Sequence, residues 1–326
     1  MNLRADVLEI LREASGTPVS GEALARAHGV SRAAVAKHVA ALRAEGYTID
    51  ATPGSGYMLR ATPPLALPAE VAALTTEPVW VRFVGGEETG STNDDCKRLA
   101  REGAPAGTVV VAARQGAGRG RLGRTWDSPA GGAYFSVLLR PEVAPAGVTA
   151  LPLAIALGVA RGLDTLGVRC GLKWPNDVLL AERKLAGVLL EMSAESDRLE
   201  WVVAGVGVNV TVPDRVFPEA AYVAEELPGA GPAQVAAAVL DGIAQVYARF
   251  VTGGFATLVD EYARRSVLTG RTVSVSDVDG AVRARGRVVG VDGWGRLLVD
   301  DGDAAGPRAI SSGDVTLRGG AGNTEE

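Results

Sequence analysis

The sequence predicts an α+β protein with a small helical head, a mixed central sheet and an all-β end, and three observations carry that prediction. Over residues 1–60, apolar residues recur at helical spacing in three short segments and then give way to two short β-type runs. In the middle of the chain, strand-like runs follow one another without a helix between each pair, which argues for a mixed or antiparallel sheet and against a doubly wound one. From Arg271 onward only strand-like runs remain, separated by Asp-Gly and Gly turns.

The head reads in order. Val7, Leu8, Ile10 and Leu11 give a first helix. Ser20 caps a second helix that Gly29 stops, and Ser31 caps a third over residues 32–43, ended by Gly46. Two helices joined by a short turn at a glycine form the helix-turn-helix pattern. In the third helix Val35, Val39 and Leu42 make the inner stripe, leaving Ser31, Arg32, Ala33, Ala34, Lys37 and His38 on the outside. Four basic residues and no acid fall between Ala23 and Ala44. A small, polar and basic face of this kind suits a DNA major groove, although a helical protein-interaction domain would share the helix count. Residues 47–49 and 57–59 around Pro53-Gly54-Ser55-Gly56 read as a hairpin wing. His38 could touch a phosphate; with His28 as the only other histidine, it has no metal site to join.

Thr62-Pro63-Pro64-Leu65-Ala66-Leu67-Pro68 is a proline-rich, semi-rigid connector. Beyond it, residues 80–84, 107–112, 134–139, 171–174, 186–191 and 201–210 read as strands. Residues 93–102, 151–166 and 233–250 read as helices. The closing strands, 272–276, 282–291, 297–300 and 315–317, suit a small SH3-like barrel. Expected bounds are therefore a winged helix-turn-helix domain over 1–62, a central domain over 63–268, a β domain over 269–318 and a disordered tail over 319–326.

Composition narrows the function classes. With 47% hydrophobic and 22% charged residues the chain reads as an ordinary soluble globular protein. A net charge of −5 argues against a protein that coats nucleic acid along its length, but leaves room for one basic module. Cys96 and Cys170 have no metal-type spacing and read as free buried thiols. Arg4, Asp6 and Glu9 leave no signal-peptide core, and Pro152, Arg161 and Asp164 interrupt the most apolar stretch. A cytoplasmic protein with no membrane partner is expected.

Chemistry concentrates in four blocks. Gly118-Arg119-Gly120-Arg121-Leu122-Gly123-Arg124-Thr125-Trp126 threads cations through glycines, so backbone amides and guanidinium groups can reach one anion together. Alone, such a run also describes a solvated loop or an RNA-binding segment. It is accompanied by Ser91-Thr92-Asn93 upstream and by Lys173-Trp174-Pro175-Asn176-Asp177 and Arg183-Lys184-Leu185-Ala186-Gly187 downstream. Ser-Thr-Asn is also an ordinary helix cap, and an aspartate after Asn in a turn is structural as often as it is a ligand.

These blocks, in this order, resemble the biotin–protein ligases, and with the N-terminal segment they resemble the bifunctional bacterial form that doubles as the biotin operon repressor. The likeness covers most of the chain and implies a class II synthetase-like central domain. It implies formation of biotinyl-5′-AMP from biotin and ATP, with Mg²⁺, and transfer to a lysine of a biotin carboxyl carrier protein. By that resemblance Ser91, Thr92, Asn93, Gln115, Arg119, Gly120, Arg121, Lys184 and Gly205 bind biotin. Arg121, Arg124, Trp126, Lys173, Asn176 and Asn209 bind nucleotide, and Asp177 helps hold the metal. Lys184, Arg119, Arg121 and Lys173 supply catalytic positive charge, which suits an attack that brings carboxylate and phosphate together. Gly205, Gly207 and Asn209 share a strand whose missing side chains make room. Leu122 departs from the pattern, standing where a further basic residue is common. The resemblance also implies that biotinyl-5′-AMP acts as corepressor, favouring a homodimer that binds palindromic operator DNA. A ligase with a non-regulatory N-terminal domain and a DNA-binding sensor without turnover remain as alternatives; the related lipoate–protein ligases fit less well, because they lack this motif set.

Overall fold

Polar caps set the helices of the head. In the computed structural model, which describes residues 3–143, 145–195, 198–277 and 279–317, Ser20 accepts from the backbone N–H groups of Glu22 and Ala23, and Ser31 accepts from that of Ala34. Helices α1 (Leu3–Glu13), α2 (Gly21–Ala27) and α3 (Arg32–Ala44) follow, and β1 (Thr48–Thr52) pairs antiparallel with β2 (Gly56–Ala61) as the wing. Val7, Leu8, Leu11, Leu24, Val35, Val39 and Leu42 are buried, so each helix turns its apolar stripe inward as the spacing requires. Residues 1–64 form one compact unit and residues 65–326 a second.

The second unit opens with α4 (Pro68–Leu74), where a connector was expected; Pro68 sits in its first turn, where a missing N–H costs nothing. Then come β3 (Arg82–Thr89), α5 (Thr92–Arg101), β4 (Thr108–Gln115), β5 (Ala133–Leu139), α6 (Leu151–Thr165), β6 (Gly171–Lys173), β7 (Asp177–Leu180), β8 (Arg183–Glu195) and β9 (Arg198–Val208). The seven strands form one sheet in the order β3-β4-β5-β9-β8-β7-β6, antiparallel throughout except for β3 with β4. The expectation of a mixed, not doubly wound, sheet holds. Strand β7 was not anticipated, because Asp177 and three apolar residues after Pro-Asn are too short a run to stand out from the turn.

Both faces of this sheet are covered. Val109, Val111, Phe135 and Val137 join the large core under α6 and α7 (Pro232–Gly253), while Val110 and Leu138 join Cys96, Leu99 and Val203 under α5. This is the two-residue alternation of a strand buried on both sides. Helices α6 and α7 meet closely: a Cβ on Gly162 would lie 2.2 Å from the Ala238 carbonyl oxygen. Both are long and apolar enough to cross a membrane by composition, yet their apolar residues serve this core.

After α8 (Val259–Arg265), strands β10 (Thr272–Ser276), β11 (Val282–Val291), β12 (Leu297–Asp300), β13 (Arg308–Ile310) and β14 (Asp314–Leu317) make a five-stranded antiparallel sheet ordered β13-β12-β11-β10-β14. Its apolar residues, among them Val273, Val275, Leu297 and Val299, belong to the same core as α6 and α7. Trp174 ties the two sheets by donating to the Gly295 carbonyl at 3.0 Å. The tail expected over 319–326 lies outside the described residues.

Candidate active site

Strand register builds the floor of the site. Ser136, Gly205 and Leu189 stand side by side on β5, β9 and β8, and Tyr134, Gly207 and Gly187 form the next row. Alternation turns both rows to the α5 face. The glycines leave space that two site residues fill. A Cβ on Gly205 would fall 2.1 Å from Asn93 Oδ1, and one on Gly207 would fall 2.5 Å from Trp126 Nε1. The room read from the glycines is thus taken first by Asn93 and Trp126, which reach the ligand space in turn.

A cleft of about 340 Å³ opens above this floor. It is lined by Ser91, Thr92, Asn93, Gln115, Arg119, Gly120, Arg121, Arg124, Trp126, Lys173, Asn176, Asp177, Lys184 and Gly205, which is every expected ligand-site residue of the second unit except Asn209. At one end lies a wired polar group. Ser91 is the N-cap residue of α5 but makes no side-chain cap hydrogen bond, and it lines the cleft. The Thr92 N–H donates to Gln115 Oε1 at 2.9 Å, and Gln115 Nε2 donates to Ser128 Oγ at 3.0 Å. Ser136 lies 2.6 Å from Asn93 Oδ1 and 2.8 Å from Thr92 Oγ1. Asn93 Nδ2 donates to Glu191 at 2.8 Å.

The glycine–arginine loop is a narrow turn closed by backbone bonds, from Gly120 N–H to Arg124 O at 2.7 Å and from Trp126 N–H to Gly118 O at 3.0 Å. Leu122 occupies its tip at φ 58°, a left-handed conformation unusual for leucine, and is exposed. Arg119 has partners of its own, whereas Arg121 and Arg124 share Asp314, which lies 4.0 Å from Arg121. Arg119 forks onto Asp94 at 2.6 and 2.7 Å and reaches Glu191 at 3.3 Å. The Arg119 hydrogen bond holds the Asp94 carboxyl well below the ordinary carboxylate range, against a smaller opposing effect of burial. Arg124 pairs with Asp314 of β14. Arg121 donates to Asn176 Oδ1 at 3.1 Å and to the Gly313 carbonyl at 3.3 Å, and burial pulls its guanidinium down from the ordinary arginine range.

Lys184 and Asp177 face each other across β8 and β7, with Nζ 2.7 Å from Oδ1. That contact is an ion pair without good hydrogen-bond direction, and Asp177 Oδ1 is otherwise buried without a partner. Asn176 is fixed by donating to the Val188 carbonyl at 2.8 Å. Among the described residues no group of three or more His, Cys, Asp or Glu side chains could hold a metal by itself. A lone carboxylate does fit a Mg²⁺ that arrives on phosphates and keeps most of its waters.

Asn209 lies just beyond β9 and lines a second cavity of about 250 Å³. Trp126 and Lys184 border both cavities, and Lys184 Nζ lies 5.2 Å from the Trp126 ring centre. Val210, Pro213, Phe217 and Tyr222 give this second space an apolar lining. Asn209 Nδ2 donates to the Lys184 carbonyl at 3.2 Å, so one polar residue is anchored beside it. In the first unit, Ser31, Arg32, Ala33 and Lys37 are exposed, and Ala34 and His38 are partly so, on the outer side of α3.

Comparison with known proteins agrees with this geometry. Residues 85–209 match the Biotin/lipoate A/B protein ligase family, and residues 4–58 match an HTH domain. The chain is 33% identical over 324 residues to the bifunctional ligase/repressor BirA of Bacillus subtilis (strain 168), covering 97% of this chain and 98% of that protein. The chain belongs to the family of the bifunctional ligase/repressor BirA. It is also 36% identical over 207 residues to BirA of Escherichia coli (strain K12), which is 61% of each chain. Among solved structures it is similar to the biotin protein ligase of Aquifex aeolicus in complex with biotin and ATP. The TM-score is 0.60 at 31% identity, covering 72% of this chain and 97% of that one.

Several residues of the site escaped the sequence reading. Asp94, Lys97, Ser128, Ser136, Glu191 and Asp314 all bond directly to expected site residues or share an ion pair with their partners. A signal existed for two of them. Ser136 and Glu191 are single polar residues inside otherwise apolar strand runs, AYFSVLL and VLLEM. Asp314 offered none, because its partner Arg124 is 190 residues away.

Proposed function

We propose that this chain joins biotin to ATP, releasing pyrophosphate, and then passes the biotinyl group to one lysine of the biotin carboxyl carrier protein of a biotin-dependent carboxylase. The carrying observation is the single cleft in which a wired hydroxyl and amide group adjoins five cationic side chains, Arg119, Arg121, Arg124, Lys173 and Lys184. In the first step a biotin carboxylate oxygen bonds to the α-phosphorus of ATP and the bond to pyrophosphate breaks. In the second, the carrier lysine's amine bonds to the acyl carbon, AMP leaves, and the amine's proton passes to solvent.

Ser91, Thr92, Asn93 and Gln115 take the ureido ring, and Lys184 with Arg119 meets the carboxylate. Arg121, Arg124 and Lys173 face the phosphates, with Asn176 holding Arg121 in place. The second cavity takes the adenosine, with Trp126 as the shared wall and Asn209 as its polar anchor. Mg²⁺ bound with ATP would be met by Asp177 and would supply further charge neutralisation to the phosphates. No side chain needs to act as a nucleophile, because preorganised charge and orientation suffice for this displacement.

The exposed face of α3 supports a second role as a biotin-responsive repressor of biotin-synthesis genes. Biotinyl-5′-AMP is the corepressor, favouring a homodimer whose two helix-turn-helix units read a palindromic operator in the cytoplasm. One experiment tests both roles. Full-length protein with biotin, MgATP and a carrier domain should release pyrophosphate and label one lysine. The same protein should shift DNA from upstream of biotin-synthesis genes only when biotin and ATP are both present. Labelling without any DNA shift would leave a ligase without regulation; no labelling would defeat the ligase reading.

A further inference from the structure

The polar end of the cleft terminates on a carboxylate whose presence needs a reason. Glu191 stands on β8 with Oε2 2.8 Å from Asn93 Nδ2 and Oε1 2.5 Å from Lys97 Nζ, while Arg119 Nη2 approaches Oε2 at 3.3 Å. Lys97 in turn lies 3.0 Å from Asp94. On the other side of the same amide, Asn93 Oδ1 lies 2.6 Å from the hydroxyl of Ser136, which has no exposed surface.

An ionised carboxylate accepts hydrogen bonds and cannot donate them. Glu191 therefore sets the orientation of the Asn93 amide, with the Leu189 carbonyl accepting more weakly from the same nitrogen at 3.4 Å: Nδ2 turns to these two acceptors, and Oδ1 is left over Gly205, toward Ser136 and the cleft. Oδ1 can only accept, so the one proton of Ser136 goes to it. Thr92 Oγ1, 2.8 Å from Ser136 and 3.1 Å from Gln115 Oε1, must then direct its own proton to one of those two oxygens. What remains for a ligand is acceptor capacity on Asn93 and Thr92, with the uncapped Ser91 hydroxyl and the second Gln115 Nε2 proton as donors. Acceptors and donors side by side complement the two N–H groups and the carbonyl of a ureido ring.

We infer that Glu191 is a positioning residue for biotin recognition, locking the Asn93 amide so that the pocket presents acceptors and selects a ligand carrying N–H donors. This rests on the biotin reading of the cleft. Its ionisation is protected: burial pushes the carboxyl up, but the Lys97 and Asn93 hydrogen bonds and the Lys97 and Arg119 charges together bring it below the usual glutamate range. A carboxylate that only anchored Lys97 to the sheet would affect stability and leave biotin affinity alone.

Glu191→Gln in the full-length protein is nearly isosteric but leaves only the long Leu189 carbonyl contact to orient the Asn93 amide. Its calorimetric biotin Kd should rise by about 10- to 100-fold, the effect of mismatching one or two buried hydrogen bonds, while KM for ATP stays at the wild-type value. The swap Asn93→Asp with Glu191→Gln restores the pattern, since the new carboxylate accepts and the new amide donates. It should recover about tenfold of the lost affinity. Unchanged biotin affinity in Glu191→Gln, or a swap no better than the single change, overturns the inference. Wild-type protein that binds no biotin would instead overturn the biotin reading itself. Should Glu191→Gln not fold, Lys97→Met supplies a second test. Only Arg119 then compensates Glu191, with the acidic Asp94 nearby, so biotin affinity should weaken through the carboxylate pH range where the wild type is flat; equal flatness overturns the inference.

Discussion

Replacing Lys184 with alanine probes the charge balance at the reacting centre. Lys184 Nζ lies 2.7 Å from Asp177 Oδ1 and borders both cavities, so it stands between the expected positions of the biotin carboxylate and the α-phosphate. Removal deletes one positive charge and also leaves the Asp177 carboxylate facing incoming anions. Two unit charges about 4 Å apart interact by about 4 kcal/mol at an effective dielectric near 20. The side chain is 37% exposed, so solvent screening takes part of that away. About 3–4 kcal/mol remains, in line with the roughly 10²–10³-fold cost of deleting one preorganised charge donor. The kcat/KM for biotin-dependent pyrophosphate release should fall by that factor, whereas Lys184→Arg should retain more. Lys184→Ala protein within about fivefold of wild type, a difference of about 1 kcal/mol, would remove Lys184 from the mechanism.

Other consequences are as direct. Gly207→Ala would place a methyl 2.5 Å from Trp126 Nε1 and push the indole off its floor, so KM for ATP should rise by about 10- to 100-fold with the fold intact by circular dichroism. The Asp94–Arg119 pair holds the Asp94 carboxyl low, so its stabilisation is complete above the unfolded aspartate value of about 3.9 and is lost as pH falls through the lower folded one. The difference in melting temperature between wild type and Asp94→Asn should therefore be constant from pH 7 to about 4 and shrink below it; shrinkage at higher pH would count against the pairing. Operator binding by a dimer contacting about six to ten phosphates should weaken by about 10³–10⁵ between roughly 50 and 200 mM salt. Lys37→Ala should lower the slope of that dependence, and an unchanged slope would take Lys37 off the DNA face.

How far the sequence could be read follows from the range of the interactions involved. Ser20 and Ser31 bond within three residues of themselves, so the two helices they cap were legible to within a residue or two, whereas the wing strand β1 runs three residues past its expected end. The mixed sheet was legible because its strands are long apolar runs bounded by turns. Three short elements were not, although β6, β12 and β14 are comparably short and were read: α4 hides in a proline-rich stretch, and β7 and β13 lie beside turns that mask them. In the cleft, the cations and the hydroxyls that line it were legible because they cluster in local motifs. Their acidic and hydroxyl partners were not, because register and topology deliver them from other strands: Ser136 from β5, Glu191 from β8 and Asp314 from β14.

That asymmetry has a physical origin. A site for anions displays its positive charge as compact motifs, because several cations must converge on one small ligand. In the folded protein the same cations need counter-charge, which can come from any element that reaches them, and so it carries no local pattern. Arg119 and Arg124 each bond a carboxylate directly, whereas Arg121 bonds an amide and a carbonyl and meets the Asp314 carboxylate only at 4.0 Å. An anion that recruits Arg119 or Arg124 must displace a bonded carboxylate, while one that recruits Arg121 displaces two neutral acceptors and a longer ion pair. A guanidinium bonded to neutral acceptors gives up less than one bonded to a carboxylate, so Arg121 is the arginine of this loop that a phosphate can engage at least cost.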